Sequence, residues 1–500
     1  MNKHFIQLLL IAILLTACGP VTLPPPPTVT ATQTITPYQT PTSRPTQTAI
    51  PAATPHPTLQ TEGPYLLYTD GYNVLTTIDA NGIGRKQMGL PTGGYFSWYF
   101  ENTVSPDGKW VAYYKGSERE PYDLALHLFN LSNGTSQLIS NLIAPGFPEN
   151  LEPVTKTLYF GEYDAECESD PKCRLTRVES AFREGIRHSI DWSPDSKFLA
   201  FAAQIDGPSS DVYIFSTEDN SIQRLTDELE NIWSIDWSPN GERILYEHSV
   251  MGDTYLSRFI RIADPKIKSL QHPEAIDGGA FWFSYGWINQ NSYLIYNGGE
   301  GAPPNRLRII NIETQEIKEI WEYSAESFFV DKENQIIVLV PYGTIWLDEK
   351  PEPGIYVVSF NGEFRKISDR IVRIIDGQDA TKHYIAAIND YKELVSIKLD
   401  GSITSLQRKP DHYVAPRSSP NGKWIIITNE TETELYSEDL QVIKSLEIHA
   451  TEIIWRPDSA GVFLYSKPKL FYLSTNNETP KLIEICALED CEPYKYVWLQ

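Results

Sequence analysis

The sequence lacks two things: an excess of basic residues and, after residue 15, any long apolar run. The net charge is −23, and because residues 1–60 contain Lys3 and Arg44 but no Asp or Glu, the acidic excess lies in residues 61–500. Nucleic acids and anionic lipid surfaces are bound by basic faces, so this composition argues against either as a direct partner. It also predicts no membrane-spanning segment beyond the N-terminus, since a spanning helix needs about 20 apolar residues.

The one apolar run, residues 5–15, follows a short basic start and leads into Leu15-Thr16-Ala17-Cys18. A charged start, an apolar stretch and small residues before a cut are the layout of a secretory signal peptide. With a Cys at the cut, these residues resemble the lipobox of bacterial lipoproteins, in which that Cys is lipidated and becomes the new N-terminus. The resemblance implies a signal peptide over 1–17, a lipid on Cys18 that holds the protein on a membrane, and an extracytoplasmic location on the bacterial cell membrane or outer membrane. An uncleaved N-terminal helix is the alternative.

Residues 18–62 contain this Cys and then a linker in which more than half of the residues are Thr or Pro. Proline fixes φ and removes a hydrogen-bond donor, so the stretch favours extended polyproline II over a packed core. We therefore expect a disordered tether that holds the folded body, residues 63–500, away from the membrane.

The other four cysteines form two close pairs, Cys167 with Cys173 and Cys486 with Cys491. In an oxidising compartment an even number of cysteines predicts disulfides, and these two pairings close the shortest loops. A four-Cys zinc site is the alternative, although neither pair has the two-residue spacing typical of zinc knuckles.

Internal repetition is the main signal in residues 63–500. The repeat is a strand, a turn of the form Ser-Pro-Asp/Asn-Gly/Ser, with Arg456 in place of the Ser in the last copy, and a second strand of nearly continuous apolar residues. Pro presets the turn, Asp or Asn bonds back to the backbone, and Gly takes a positive φ. An apolar strand of this kind is buried on both faces. The five clear copies begin at Val104, Asp191, Asp236, Ser418 and Ile454.

A second strand pair with a polar turn follows each copy, so the unit is four short antiparallel strands, which is a propeller blade. Weaker copies keep the spacing at about 40 to 50 residues; they lie at 151–160, 288–296, 331–339 and 379–388. A partial unit at 65–88 lacks its first strand, and residues 494–499 offer a lone strand that would complete it. The sequence thus predicts an all-β propeller of about 8–10 blades, closed by its C-terminal strand. Eight blades with long insertions, or two smaller rings, are the alternatives.

The repeated Trp-Ser-Pro-Asp-Gly-Lys pattern resembles the TolB-type, WD40-like propeller repeat, and also the propeller half of dipeptidyl peptidase IV and prolyl oligopeptidases. The resemblance implies the fold and a periplasmic or surface setting, but propellers carry many functions. Peptidases of this type have an α/β-hydrolase domain after the propeller. Here the repeats run to the end of the sequence and no Gly-x-Ser-x-Gly turn occurs, so we do not expect peptidase activity.

Metal sites are weakly indicated. Four histidines near predicted turns or loops could line one mouth of the ring, as in some propeller lyases; they are His188, His248, His272 and His412. No His-Glu-x-x-His pair occurs, and ordinary loop histidines are the simpler interpretation.

An acidic loop is the other weak metal candidate. Acidic residues occupy every second position of this loop, as calcium ligands in a loop do. They are Asp164, Glu166, Glu168 and Asp170. Ser169 replaces the Gly of an EF-hand loop, which favours a solvated loop pinned by a disulfide. We expect no cofactor, with calcium as the one ion to consider.

Exposed aromatic residues are a third kind of candidate, because sugar rings stack on them. Trp192, Trp237 and Trp455 occupy the repeat position and should pack between blades. Two other aromatic clusters lie just before blade turns, so they are more simply explained as ordinary strand residues than as binding residues. They contain Tyr95, Trp98 and Tyr99, then Phe281, Trp282, Phe283 and Tyr285. Trp98, Trp282 and Tyr285 are the weak candidates for ligand binding.

The sequence therefore favours a lipid-anchored propeller that binds a protein or an envelope polymer without catalysis. A carbohydrate-binding propeller that uses aromatics at its mouth is the second hypothesis. A metal-dependent propeller lyase or hydrolase is the third, and the lack of a convergent acid–base or metal motif disfavours it.

Replacing Cys18 tests the anchor. We expect Cys18→Ser to release the protein from membranes, because it removes the lipidated thiol. Fractionation of cells into membrane and soluble extracts checks this, with Thr22→Ser as the matched control. A Cys18→Ser protein that stays in the membrane fraction would contradict the lipobox interpretation.

Overall fold

The computed structural model describes residues 64–499 with gaps, the longest being 117–123, 144–185, 298–305, 342–350 and 407–413. The described residues form nine four-stranded antiparallel sheets, each a propeller blade, and one short 3₁₀ turn at Glu101–Thr103. The chain is therefore an all-β propeller, as predicted. The weak copy predicted at 151–160 lies outside the described residues.

The strands fall into blades in chain order. Blade 1 contains β1 (Tyr65–Thr69), β2 (Leu75–Asp79), β3 (Lys86–Met88) and the last strand of the chain. Blades 2 and 3 contain β4 (Gly94–Tyr95), β5 (Trp110–Gly116), β6 (Leu124–Asn130), β7 (Ser136–Asn141); β8 (Ile190–Trp192), β9 (Phe198–Ala203), β10 (Asp211–Ser216), β11 (Ile222–Arg224). Blades 4 to 6 contain β12 (Asn231–Trp237), β13 (Ile244–Met251), β14 (Leu256–Ala263), β15 (Asp277–Ala280); β16 (Trp282–Asn289), β17 (Ser292–Asn297), β18 (Leu307–Asn311), β19 (Ile317–Trp321); β20 (Ala325–Asp331), β21 (Ile336–Pro341), β22 (Ile355–Ser359), β23 (Phe364–Ser368). Blades 7 to 9 contain β24 (Arg373–Asp376), β25 (His383–Ile388), β26 (Glu393–Lys398), β27 (Ile403–Ser405); β28 (Val414–Ser418), β29 (Trp424–Thr428), β30 (Thr433–Ser437), β31 (Val442–Leu446); β32 (Glu452–Trp455), β33 (Gly461–Ser466), β34 (Lys469–Ser474), β35 (Leu482–Cys486). The last strand, β36 (Lys495–Leu499), belongs to blade 1.

Blade 1 is assembled from both ends of the propeller, as the sequence predicted. Strand β36 pairs antiparallel with β1, and Tyr65 lies opposite Leu499. Tyr68 of blade 1 shares an apolar cluster with Phe463 of blade 9, while Leu67 of blade 1 shares another with Val111 of blade 2. The first sheet therefore packs against sheets on both sides, and β36 covers what would be an open strand edge.

The core lies between the blades. Apolar clusters join blades 2, 3 and 4, blades 5 and 6, blades 6 and 7, and blades 8 and 9. The second and third strands of the blades supply most of it: five of the six residues of β9 and five of the six residues of β10 are buried. First strands of successive blades contact one another, as β8 does with β12 and β24 with β28. They therefore line the axis of the propeller, and the fourth strands form its rim.

Each clear repeat turn is built from its own side chains. In blade 3, the Ser193 hydroxyl donates to Asp195 at 2.8 Å, and Asp195 accepts the Lys197 N–H at 3.1 Å. The fourth turn position has a positive φ, which Gly takes in blades 2, 4 and 8. Blades 3 and 9 instead place Ser196 and Ser459 there, with φ of 60° and 59°.

These two serines join neighbouring blades. The Asp107 N–H of blade 2 donates to Ser196 Oγ at 2.9 Å, and the Asn421 N–H of blade 8 donates to Ser459 Oγ at 2.9 Å. A side chain in the left-handed region costs about 1 kcal/mol or more. The hydroxyl bond to the preceding blade offsets that cost, so we call it the serine latch.

Removing one latch should lower stability. We expect Ser196→Ala to reduce the free energy of unfolding by about 1 kcal/mol, because it keeps the backbone strain and loses the acceptor for the Asp107 N–H. Ser196→Gly is the matched control: it loses the same bond but relieves the strain, so its loss should be smaller. Urea denaturation checks both, and an Ala variant as stable as the unchanged protein would refute the latch.

Candidate functional site

The repeat turns of all clear copies lie on one face of the propeller, which we call the turn face. At two of the seams between blades at this face, a tryptophan from each blade packs in the same apolar cluster. Trp110 packs against the cluster that contains Trp192, and the Trp192 Nε1–H donates to Thr103 O of the preceding blade at 3.1 Å. In blades 8 and 9, Trp424 and Trp455 pack in one cluster, and Trp455 Nε1–H donates to Arg417 O at 3.2 Å.

The seam between blades 3 and 4 departs from this pattern at three positions. Phe198 stands where blades 2 and 8 have Trp110 and Trp424, so a smaller ring faces the next blade. Gly241 stands where Ser196 and Ser459 form the serine latch, so blade 4 offers no hydroxyl to blade 3.

The third difference is the indole of Trp237. Its Nε1–H is buried and has no acceptor among the described residues. Three other tryptophans, Trp287, Trp321 and Trp498, share this property within the described part of the chain, but Trp237 is the one that lines a cavity in this seam.

The result is an open cleft of about 480 Å³ on the turn face. The Phe198 and Trp237 rings lie nearly parallel, 6.3 Å apart. Phe198 is 36 % exposed and Trp237 only 5 % exposed, so the phenyl ring is the accessible wall and the indole lies deeper. The remaining apolar lining comes from Ile214, Pro194 and Pro265. We call this site the blade 3/4 cleft.

Lysines stand at its mouth, in a protein that is otherwise acidic. Lys266 pairs with Glu242 at 3.3 Å, and the nearby Lys197 pairs with Glu218 at 2.8 Å. Lys268 is exposed and has no ion pair within the described part of the chain. A cationic group is thus left at the rim for an anion.

Most other polar groups of the cleft are already engaged. Gln223 Nε2–H donates to Ile267 O at 3.1 Å, and the Ser193 hydroxyl is held by Asp195 at 2.8 Å. Asn240 Oδ1 accepts the Ser238 hydroxyl at 2.7 Å. The uncharged polar side chains of the cleft are therefore largely paired within the protein, and the charged side chains Asp195, Lys266 and Lys268 complete its lining.

Two carboxylates lie behind the cleft on the first strands. Asp191 Oδ2 accepts the Trp237 main-chain N–H at 2.7 Å, and Asp236 Oδ2 accepts the Tyr293 hydroxyl at 3.1 Å. Each carboxylate thus bonds to the next blade. Both keep some accessible surface although they lie deep in the molecule, as expected of residues that border the axis.

The surroundings of Asp191 and Asp236 raise the pKa values of both carboxyl groups. Burial and the charge of Asp236 raise the pKa of Asp191 well above its ordinary value, and burial raises the pKa of Asp236. Neither is aimed at the cleft by a described contact, so we assign them to the seam and not to ligand binding.

A buried ion network ties blades 3 and 4 together nearer the opposite face. Glu228 accepts the Tyr246 hydroxyl and an Arg261 N–H, both at 2.5 Å. The Glu228 main-chain N–H donates to Asp211 at 2.6 Å, and Arg224 binds Asp211 at 2.7 Å. Breaking such a buried pair leaves an uncompensated charge, so these contacts fix the two blades relative to each other around the cleft.

The structure corrects the prediction for His248. It lies inside β13, 2 % exposed, with its ring stacked on Phe259 and its Nε2 accepting from Arg261 Nε–H at 3.0 Å. It does not line the mouth of the ring, because the apolar strand continues past the turn and places this position in the sheet. His188, His272 and His412 lie outside the described residues.

The other candidates are placed only in part. Trp282 and Tyr285 are in β16, a first strand of a blade, while Trp98 lies outside the described residues. Outside them too are the acidic loop and the first cysteine pair, that is Asp164, Glu166, Glu168, Asp170, Cys167 and Cys173, as well as Cys18. Cys486 and Cys491 are joined by a disulfide at the end of β35.

The described residues contain neither a metal-binding cluster nor a membrane-spanning helix. They contain no group of three or more His, Cys, Asp or Glu side chains that could hold a metal ion. No helix in the described part of the chain is long and apolar enough to cross a membrane.

The chain matches no family model. Among curated proteins it is similar to the uncharacterized peptidase YuxL of Bacillus subtilis, 41 % identical over 63 residues, which is 12 % of this chain and 10 % of that protein. The chain thus matches only about a tenth of that relative's length.

Solved structures give a broader match in fold. A eukaryotic initiation factor is 12 % identical, with 87 % of this chain and 98 % of that one covered and a TM-score of 0.48. TolB from Acinetobacter baumannii is 15 % identical, with 60 % and 62 % covered and a TM-score of 0.28. These likenesses concern the fold alone.

The residues of the cleft were not singled out from the sequence. The signal was present as a difference between aligned repeats: Phe198 against Trp110 and Trp424, and Gly241 against Ser196 and Ser459. It becomes visible only when one knows that these positions face the neighbouring blade.

Because the pKa of Asp191 is raised, replacing it with a neutral residue should increase the stability of the folded protein by an amount that depends on pH. When the pKa of a carboxyl is higher in the folded than in the unfolded state, the free energy of unfolding falls as pH rises from about 4 towards the folded-state pKa. Asp191→Asn keeps an oxygen for the Trp237 N–H, so we expect it to raise the free energy of unfolding at neutral pH by about 1 kcal/mol or more, with the gain vanishing near pH 4.

Melting curves across this pH range check the prediction. Asp219→Asn is the control, because hydrogen bonds from Ser221 and Ser216 lower the pKa of the exposed Asp219 and its neutralisation should bring no gain at neutral pH. A gain for Asp191→Asn that is the same at every pH would contradict the argument.

Proposed function

We propose that this chain is a lipid-anchored, extracytoplasmic β-propeller that binds a protein or an envelope polymer through the blade 3/4 cleft. The observation that carries the proposal is the cleft itself: an apolar opening at a seam that has Phe198 and Gly241 where the seams between blades 2 and 3 and between blades 8 and 9 have a tryptophan and a latching serine. Surface openings of this size and lining are where proteins usually bind ligands. The lipid anchor rests on the Cys18 motif.

Exposed apolar side chains around the cleft support a partner larger than a small molecule. Ile267 is 43 % and Leu270 46 % exposed, and each lies within two residues of the cleft lining. Together with Phe198 they extend the apolar opening outwards on the turn face. Clustered exposed apolar residues with a polar rim mark interaction surfaces.

Site-specific photo-crosslinking in cells tests the proposal. A benzophenone side chain at Ile267 should form adducts because this residue lies between the lining residues Lys266 and Lys268 and is 43 % exposed, whereas one at Ile483 should not. Ile483 is the matched control, since it lies on the fourth strand of blade 9 and is 42 % exposed. Adducts at Ile267 should disappear in Phe198→Trp, which fills the cleft.

Digestion of the adduct identifies its class. Sensitivity to protease indicates a protein partner, and sensitivity to a muramidase or glycosidase indicates an envelope polymer or glycan. Equal adducts at both positions, or adducts that persist in Phe198→Trp, would refute the cleft as the binding site. Loss of membrane association in Cys18→Ser is the separate test of the anchor.

A further inference from the structure

Strand β36 is held in blade 1 by few contacts of its own. It pairs along one edge with β1, and Leu499 is the one residue of its five whose side chain is buried. A short strand with one sheet neighbour and few buried side chains opens locally at a low free-energy cost. Its place in blade 1 therefore depends on how the chain delivers it from blade 9.

A disulfide lies on the route into this strand. β35 is the outermost strand of blade 9 and β36 the innermost strand of blade 1, so the connection between them crosses the width of a blade. Cys486 ends β35 and is bonded to Cys491. Counted along the sequence, the connection from Cys486 to β36 is eight residues, 487–494, whereas only three residues, 492–494, follow Cys491. The bridge thus shortens the free connection to β36.

One end of the bridge is buried in the seam between blades 9 and 1. Cys491 is 0 % exposed and shares an apolar cluster with Tyr68 of β1 and Phe463 of β33. Cys486 is half-buried and packs against the same cluster. The bond therefore fixes the point in the seam from which the chain enters blade 1.

Hydrogen bonds continue from the bridge to the strand. The Tyr494 main-chain N–H donates to Thr69 O of β1 at 2.9 Å. The Lys495 ammonium donates to Ser97 O of blade 2 at 2.6 Å. Both contacts lie within four residues of Cys491, so a fixed Cys491 delivers β36 in register with β1.

We infer that the Cys486–Cys491 disulfide is a redox-dependent clasp on the closure of the propeller. While the bond is intact, β36 is confined beside β1. A dithiol that reduces the bond supplies two electrons and two protons, so the bridge becomes two thiols and the dithiol becomes a disulfide. The free connection then grows from three residues to eight, and β36 leaves blade 1 more often.

The clasp acts on one strand and leaves the other blades folded. A cysteine thiol behaves as a small apolar residue, so reduced Cys491 fits the same cluster. The entropic cost of closing a loop grows with the logarithm of its length, so a change from three residues to eight should increase the opening of β36 about fourfold. Disulfides form and persist in oxidising compartments. The clasp would thus complete the ring where the protein is expected to work.

Hydrogen exchange of the full-length protein before and after reduction tests the clasp. The variant Cys167→Ser/Cys173→Ser removes the other cysteine pair, so a reductant can break the Cys486–Cys491 bond without any change of sequence in the seam. We expect dithiothreitol to speed the exchange of the β1 and β36 amides about fourfold, while the amides of β9 in blade 3 keep their rates. Reoxidation should restore the original rates.

A second variant checks the same point without a reductant. Cys486→Ser removes the bridge at its half-buried end and leaves Cys491 in the seam. Its β36 amides should exchange as fast as those of the reduced protein and should no longer respond to dithiothreitol. Cys173→Ser is the matched control, because it removes one cysteine of the other pair and should leave the exchange of β36 unchanged.

Mass spectrometry after alkylation counts the thiols and so shows that the bond has been broken. Unchanged exchange of β36 once these two thiols have formed, or in Cys486→Ser, would overturn the clasp. Faster exchange of all blades together would overturn it as well, because the bond would then support the whole fold and not one strand. The proposed function is judged separately, by the crosslink at Ile267.

Discussion

The hydrogen bonds inside the Ser-Pro-Asp/Asn turn are the interaction on which the geometry of each blade depends. Its Ser hydroxyl and its Asp or Asn oxygen bond within the turn, as Ser105 does with Asp107 at 2.7 Å and Ser419 with Asn421 at 2.9 Å. These bonds fix where the second strand starts, and the second strand carries the apolar residues that pack against both neighbours. A small polar turn thus sets the register of the core.

The fourth position of that turn decides how neighbouring blades meet. Gly takes the positive φ there without strain, whereas Ser takes it at a cost and gains a bond to the preceding turn. The chain uses both solutions: Ser196 and Ser459 latch their seams, and Gly241 leaves its seam unlatched. A strained residue at a turn is therefore explained by a contact with another blade, outside its own repeat.

The fold was predictable because the repeat is local. Turn residues, apolar second strands and the lone C-terminal strand can all be recognised without knowing which blade contacts which, and the structure has them in those places. The central position of His248 in a strand was missed because the apolar pattern weakens towards its end, where Glu247 and His248 are buried. The burial of His248 depends on Arg261 and Phe259, which come from the next strand.

The cleft was not predictable by the same route, because it arises from differences between repeats that matter only across a seam. Phe198 belongs to one blade, Trp237 and Gly241 to the next, and each substitution alone is an ordinary variation of the motif. The sequence could have indicated the site only after the repeats were aligned and their facing positions known.

Three features that lower stability meet at this one seam. It has a smaller ring where two other seams have a tryptophan, a glycine where those seams have the latching serine, and two carboxylates with raised pKa. Blades 3 and 4 nevertheless stay joined around the cleft, because Asp191 bonds to Trp237 and Glu228 bonds to Arg261 and Tyr246. Places where a protein departs from the most stable local choice are often functional sites. Polar contacts thus hold this seam together while its end at the turn face stays open, which is the arrangement that a binding cleft requires.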